Sequence, residues 1–305
     1  MAKQHFYSNG KLLLTGEYLV LDGANALALP TKMGQSLQVL PQEEPSVSWK
    51  SFDADGSLWL EEELAINAII DYQATSETTV RGTLLNILHH AALLRPNTFD
   101  AAKGFQVETR LTFPREWGLG TSSTLINNVA QWFNVDAFQL LKASFGGSGY
   151  DIACAQNDTP IFYRLENNLP VVTPITFQPK FADHLYFVYL NQKQSSKEAI
   201  AAYFHSKKND LAARIEKVNA LTATAANAVD LKTFALVMQE HEKYMSSLLE
   251  LPTVKDALFS DFNGVVKSLG AWGGDFVLVI SENNPKEYFA ERGFYTFVSY
   301  FEMIL

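Results

Sequence analysis

Trp117-Gly118-Leu119-Gly120-Thr121-Ser122-Ser123 joins an alternating apolar run to a helical apolar pattern. Glycines let a backbone come close to a ligand and take up φ > 0. The first N–H groups of a helix lack intrahelical partners, and the helix dipole favours negative charge beside them. Thr121, Ser122 and Ser123 can cap such a helix, or turn a hydroxyl towards a phosphate or its metal. The segment therefore suits an anion. It equally suits a capped helix after an ordinary tight turn, and a lone glycine-rich loop does not decide between the two.

Three further segments carry chemistry-bearing residues. Asn9-Gly10-Lys11 precedes an apolar strand and sets an ammonium near a turn, although a lysine there is commonly a solvated surface charge. Gly146-Gly147-Ser148-Gly149-Tyr150-Asp151 puts a carboxylate just after a glycine turn, whose N–H groups can form an anion-binding concavity; Asp151 also reads as a helix cap. Gly270-Ala271-Trp272-Gly273-Gly274-Asp275 lies between two strand-like runs, where glycines also serve a hairpin.

These segments need elements to position them. Alternation of Phe105, Val107, Thr109, Leu111 and Phe113 predicts a strand over residues 105–113, and Leu125, Ile126, Val129, Trp132 and Phe133 predict a helix after Ser123. Residues 11–14, 18–21 and 35–40 read as strands, and 47–52 with 57–60 as a hairpin about Asp55-Gly56. Helices are expected over 83–94 and from about Asp136, with Asp136 as N-cap. Strands follow at 161–165 and 171–177, and Pro174 and Pro179 bracket a domain junction. Beyond it come a strand at 185–190, helices over 195–207, 210–228 and 231–249, and strands at 276–280 and 295–301. Strands mixed irregularly with helices indicate an α+β fold.

Bulk properties narrow the classes. The 305 residues suffice for one large domain or two ordinary ones. A net charge of −9 argues against a duplex nucleic-acid partner, so an anionic substrate must be met by locally placed Lys, Arg, helix ends or Mg²⁺. Cys154 is the only cysteine, which leaves no intrachain disulfide and reads as a buried small apolar residue. No signal-peptide pattern or bilayer-length apolar run is seen, so no membrane partner is expected and the cytoplasm is the default.

In this order the four segments resemble the motif set of the GHMP kinases, the galactokinase, homoserine kinase, mevalonate kinase and phosphomevalonate kinase superfamily. Ser8-Asn9-Gly10-Lys11-Leu12-Leu13-Leu14-Thr15-Gly16-Glu17-Tyr18-Leu19-Val20-Leu21-Asp22-Gly23 is similar to the N-terminal motif, and residues 118–123 to the phosphate loop. Gly147-Ser148-Gly149-Tyr150-Asp151 and Gly273-Gly274-Asp275 resemble the GSGxD and GGD of phosphomevalonate kinases. Gln194-Ser195-Ser196-Lys197 loosely resembles a substrate-side loop.

The resemblance implies a two-domain α+β GHMP kinase fold. Residues 1–178 would form an N-terminal half like one first seen in a ribosomal protein, and 179–305 a C-terminal half with a split βαβ arrangement, with ATP in the cleft between them. Gly118, Leu119, Gly120, Thr121, Ser122 and Ser123 would wrap the triphosphate, with Ser122 on Mg²⁺ and the third motif, Gly270, Gly273, Gly274 and Asp275, alongside. Asp151 would take or orient the acceptor's proton, and Lys11 would stabilise charge on the transferred phosphoryl group. Glu17, Ser148, Ser195, Ser196 and Lys197 would face the substrate.

Three departures stand out. Asn9 replaces the usual proline, Trp272 stands where the family has glycine, and Asp136 is the only carboxylate between Thr124 and Tyr150. The last gap argues against mevalonate kinase proper, whose glutamate ligand for Mg²⁺ precedes the catalytic aspartate. The leading expectation is an ATP- and Mg²⁺-dependent kinase for 5-phosphomevalonate, with Lys193, Lys197, Arg110 and Arg115 as candidate acceptor cations. The alternatives are a GHMP kinase for an alcohol such as mevalonate or a sugar, and a catalytically silent nucleotide- or metabolite-binding relative. Small-molecule partners are expected, and a homodimer is left open.

Overall fold

The computed structural model describes residues 3–73, 79–96, 98–99, 104–193, 200, 203–204 and 210–305. Mixed α and β elements form two compact units. The first comprises residues 1–10, 33–115 and 119–156, and the second 11–32, 116–118 and 157–305. The units do not follow a single cut at residue 178. Two long strands, β1 (Gln4–Thr15) and β2 (Ala26–Gln42), each give one part to each unit.

In the first unit, the later part of β2 pairs antiparallel with β5 (Gly104–Leu111), setting Leu37 opposite Thr109 and Val39 opposite Val107. β5 runs parallel to β3 (Ser46–Phe52), which forms a hairpin with β4 (Leu58–Ala65). The alternation expected over 105–113 is realised: Phe105, Val107, Thr109, Leu111 and Phe113 are all buried. Helices α2 (Val80–Leu94), α3 (Thr121–Phe133) and α4 (Ala137–Ser144) follow the short α1 (Ile66–Ile70) and supply the other side of the core. There Trp49, Leu84, Leu88, Val107, Ile126, Val129 and Phe133 pack together. Asp136 is the N-cap of α4, its carboxylate accepting from the Gln139 N–H at 2.8 Å.

In the second unit, the first part of β2 pairs with β6 (Ile161–Glu166), and β6 with β7 (Leu169–Pro174). A separate antiparallel sheet has the order β11 (Phe297–Ser299), β8 (Leu185–Tyr189), β10 (Phe276–Ile280), β9 (Val265–Ser268). The paired helices α6 (Leu211–Ala226) and α7 (Leu231–Leu249) accompany it, and the apolar side of α7 buries Phe234, Met238 and Met245.

Two expected strands are corrected. Residues 18–21 do not extend. Gly16 and Tyr18 both have positive φ, of 88° and 60°, and the chain turns into a 3₁₀ helix, Leu19–Asp22. Gly16 is obligatory there, since a Cβ would lie 2.8 Å from Ala26 and from the Asn25 carbonyl. The strand expected over 295–301 is only β11. Ser299 then forms a capping box with Glu302 and starts a helical turn, Tyr300–Met303. The helix expected over 195–207 falls largely outside the described residues. No helix among the described residues is long and apolar enough to cross a membrane.

Candidate active site

The first unit holds the start of α3. Gly120, with φ of 99°, is its N-cap, and Thr124 N–H makes the first intrahelical bond to the Gly120 carbonyl at 2.9 Å. The N–H groups of Thr121, Ser122 and Ser123 therefore have no intrahelical acceptor. Side-chain capping by these three, one of the two roles open in the sequence, is not what the structure shows. The cap is glycine, and no side chain accepts from the helix start. Ser123 and Thr124 instead turn their hydroxyls back to the Gly120 carbonyl, each at 2.9 Å, which fixes the cap. Among the described residues, the Thr121 and Ser122 hydroxyls have no hydrogen-bond partner.

Asp151 lies in the same unit on a short helix, α5 (Tyr150–Ala155). Gly146, Gly147 and Gly149 all have positive φ, and at Gly146 and Gly147 nothing lies within 4 Å of a built Cβ. Backbone conformation alone selects glycine at those two positions. Gly149, not Asp151, is the N-cap, which corrects the capping role considered from the sequence. Asp151 is half-buried in the first turn and accepts from the Ile152 N–H at 3.0 Å. Cys154 is buried on this helix, as its neighbours suggested.

In the second unit, Lys11 is half-buried on β1. Glu17, six residues on, is closed off from solvent. One carboxylate oxygen accepts from the ammonium of Lys267, itself only 1% exposed on β9 opposite Leu278. Lys267 also donates to the Ser268 carbonyl at 2.8 Å. The two oxygens of Glu242, on α7, accept from the Ser268 N–H at 3.1 Å and its hydroxyl at 3.0 Å. His241 Nε2 accepts from the Gly16 N–H at 3.2 Å, so its ring proton sits on Nδ1 and the ring is neutral. Its 3.5 Å approach to Glu17 is then no ion pair. Glu17 Oε2 and His241 Nδ1 are buried without a partner among the described residues.

Burial governs the titration of this cluster. Desolvation outweighs the Lys267 charge and pushes the Glu17 carboxyl up to about 7. Glu242 is raised for the same reason. Burial, with the Lys267 charge added, holds His241 well below its usual range. Sequence reading missed Lys267, His241 and Glu242. The one available signal was Lys267 inside an apolar strand, and it lacks a partner nearby in sequence.

The third glycine motif is the loop of the β9–β10 hairpin, closed by Leu269 N–H to the Phe276 carbonyl at 3.2 Å. Gly270, Gly273 and the non-glycine Asp275 have positive φ. Trp272 donates its N–H to the Tyr18 hydroxyl at 2.9 Å and its indole to the Pro252 carbonyl at 3.0 Å, and packs with Tyr18, Leu19 and Met245. This large residue is therefore a packing piece. Gly118 belongs to this unit and has φ of 68°, and a Cβ there would overlap the Asp275 carboxylate.

The expected acceptor cations are mostly engaged. Arg110 bonds Glu108 at 2.6 Å and lies over the Phe52 ring, Arg115 lies over Trp59, and Lys193 is 3.8 Å from Glu116. Ser148 is half-buried in the glycine turn before α5, while Ser195, Ser196 and Lys197 lie outside the described residues. Among the described residues no group of three or more His, Cys, Asp or Glu side chains could hold a metal.

No protein-family model and no curated protein matches the sequence. Solved structures do match its fold. The mevalonate kinase of Methanococcus jannaschii is 16% identical, with 96% of this chain and 95% of that one covered at a TM-score of 0.71. Lactococcus lactis galactokinase complexed with galactose is 14% identical, over 97% and 92%, at 0.68. Streptococcus pneumoniae phosphomevalonate kinase, in complex with phosphomevalonate and AMPPNP, is 16% identical, over 96% and 95%, at 0.64. At such identity the likeness is one of fold, and it runs over nearly the whole chain: this protein has the GHMP kinase fold.

Proposed function

We propose that the protein is an ATP- and Mg²⁺-dependent small-molecule kinase, with 5-phosphomevalonate as the acceptor. The observation that carries this reading is the start of α3. Three N–H groups without intrahelical acceptors and two partner-free hydroxyls occur there, in a fold shared with small-molecule kinases. Residues 118–123 bind the nucleotide phosphates. The choice of acceptor is supported by the likeness of Gly147-Ser148-Gly149-Tyr150-Asp151 and Gly273-Gly274-Asp275 to phosphomevalonate kinase motifs.

Mg²⁺ fits this donor set without a carboxylate cage, because the ion commonly keeps several waters and uses phosphate oxygens. Ser122 holds it through the hydroxyl left without an internal partner. When bound, the ion neutralises charge on the phosphate oxygens. Asp151 orients the acceptor and Lys11 stabilises negative charge on the phosphoryl group in transfer. An acceptor oxygen forms the new bond to the γ-phosphorus as the bond to the β-bridging oxygen breaks, releasing ADP.

Asp151 has a different task with each acceptor class. A phosphate monoester has its second pKa near 6, so its attacking oxygen is already largely deprotonated at neutral pH. Asp151 then only orients. An alcohol keeps its proton, and Asp151 must accept it. The engagement of Arg110 with Glu108 and the nearness of Lys193 to Glu116 favour an alcohol as the second reading, since both cations are partly neutralised.

The test is turnover of Mg-ATP with 5-phosphomevalonate and with mevalonate in parallel, reading ADP release and product mass. A diphosphate from phosphomevalonate alone supports the first reading, and product from mevalonate alone the second. Nucleotide binding without turnover of either removes both acceptors.

A further inference from the structure

Helix α3 buries two chemically different faces. Ile126, Val129, Ala130 and Phe133 are apolar, whereas Ser123, Thr124, Asn127 and Asn128 are polar and equally closed to solvent. A buried amide is costly unless its donors and acceptors are met, and here they are. Asn127 Nδ2 donates to Ser8 Oγ at 2.8 Å and its Oδ1 accepts from Gln156 Nε2 at 2.9 Å. Ser8 Oγ donates on to Asn128 Oδ1 at 2.8 Å, and Asn128 Nδ2 to the Gln35 carbonyl at 2.9 Å. Thr124 Oγ1 reaches both Gln35 Oε1 and the Gly120 carbonyl, each at 2.9 Å.

The chain of bonds touches each element the proposed reaction needs. Ser8 is three residues before Lys11 on the same strand, Gly120 is the cap of the phosphate-loop helix, and Gln156 is the C-cap of the helix bearing Asp151. Asn127 stands at the junction, with one end of its amide on β1 and the other on the end of α5. Such directional bonds specify one arrangement, whereas apolar packing tolerates small slides. We infer that Asn127 is a positioning residue, which sets the Asp151 helix and the stretch of β1 at Ser8 in register with the phosphate-loop helix. The inference rests on the kinase reading for its catalytic meaning and on the network alone for its geometry.

The experiment compares Asn127→Leu, Gln156→Leu and the double variant in the full chain. It reads AMPPNP affinity, steady-state turnover with the acceptor found active, and hydrogen exchange of the α5 amides against those of α4. The expected result is kcat lowered about tenfold or more, since misplacement of about 1 Å can cost 10²-fold, with AMPPNP affinity changed by less than about threefold. Exchange over Tyr150–Ala155 rises while Ala137–Ser144 is unchanged, and the double variant is no worse than the worse single one. Gln156→Leu, at an exposed cap, serves where Asn127→Leu does not fold.

Turnover within twofold of wild type in folded variants overturns the inference. So does a fall in affinity and turnover together with exchange rising throughout the unit, which is a purely structural role. If the wild type turns over no acceptor, the kinase reading fails by itself and exchange decides the geometry. In that case unchanged protection over α5 overturns the inference.

Discussion

Lys267 donates its buried ammonium to Glu17 across 250 residues of sequence, and in doing so joins β9 to the segment after β1. With Glu242 it also holds every polar group of Ser268, the last residue before the third glycine loop. Lys267→Met leaves two buried carboxylates without their cation and is expected to cost about 3–5 kcal/mol in urea unfolding. Adding Glu17→Gln should recover part of that loss. Full additivity of the two changes would show that the pair is not coupled.

The same cluster gives opposed pH effects. Glu17 titrates near 7 in the folded protein against a usual 4.5, so its contribution is present at low pH and is lost as pH rises through that window. His241 is held neutral below its usual 6.5, so its contribution is present above 6.5 and is lost as pH falls. His241→Gln should lose less stability than wild type as pH falls below 6.5, because the variant has no buried ring held neutral by the fold. At about 1.4 kcal/mol per pH unit for each proton, Glu17→Gln should lose about 3 kcal/mol relative to wild type between pH 7 and pH 4.5. Denaturant unfolding across that range checks both signs.

Gly118→Ala places a methyl group against the Asp275 carboxylate in a left-handed conformation. Its cost should be of order 1–3 kcal/mol in stability, with a loss of AMPPNP affinity measurable by calorimetry. Asp275→Ala in the same chain relieves the overlap but not the backbone strain, so rescue should be partial. Complete rescue would assign the whole effect to the carboxylate.

Asp151→Asn separates the acceptor classes. With an alcohol acceptor, kcat should fall by roughly 10²–10⁴ through loss of a base. With a phosphate monoester the loss should be smaller and nearly independent of pH between 7 and 9. Steady-state rates over that range with both acceptors decide between orientation and proton removal.

Ser122→Ala removes the partner-free hydroxyl at the start of α3. The Mg²⁺ concentration for half-maximal AMPPNP binding should rise by about 2–10-fold, the worth of one hydrogen-bonding or ligating group. Metal-free ADP affinity should stay within twofold. An unchanged Mg²⁺ requirement would remove Ser122 from the metal site.

Local patterns were legible where the physics is local. The period-2 run ending at Phe113, the apolar face from Leu125 to Phe133 and the Asp136 cap could all be read within a dozen residues. The glycine loops showed where φ would be positive, but not that Gly120 and Gly149 themselves would cap their helices. Tyr18 was misread as extended because its apolar neighbours suit a strand, while the constraint that turns it comes from Ala26 pressing on Gly16. Lys267, His241 and Glu242 were illegible for a plainer reason. Each is an ordinary polar residue until partners 26–250 positions away close over it. The polar face of α3 was hidden likewise, since Asn127 and Asn128 look like solvent-facing positions.

The interleaving of the two units has a consequence for synthesis. Thr31 bridges to Ile304, and the Leu305 N–H donates to the Pro30 carbonyl. Tyr18, Leu19 and Ala24 pack with Val218, Met245 and Leu248. As the chain leaves the ribosome, the segment 11–32 must wait, apolar and uncovered, until more than 200 residues have followed it. The first unit can close once residue 156 has emerged, but the second has a long-range dependence that slows folding and invites premature association. Fragments of the second unit that lack residues 11–32 should aggregate on expression, and supplying that segment in trans should rescue them.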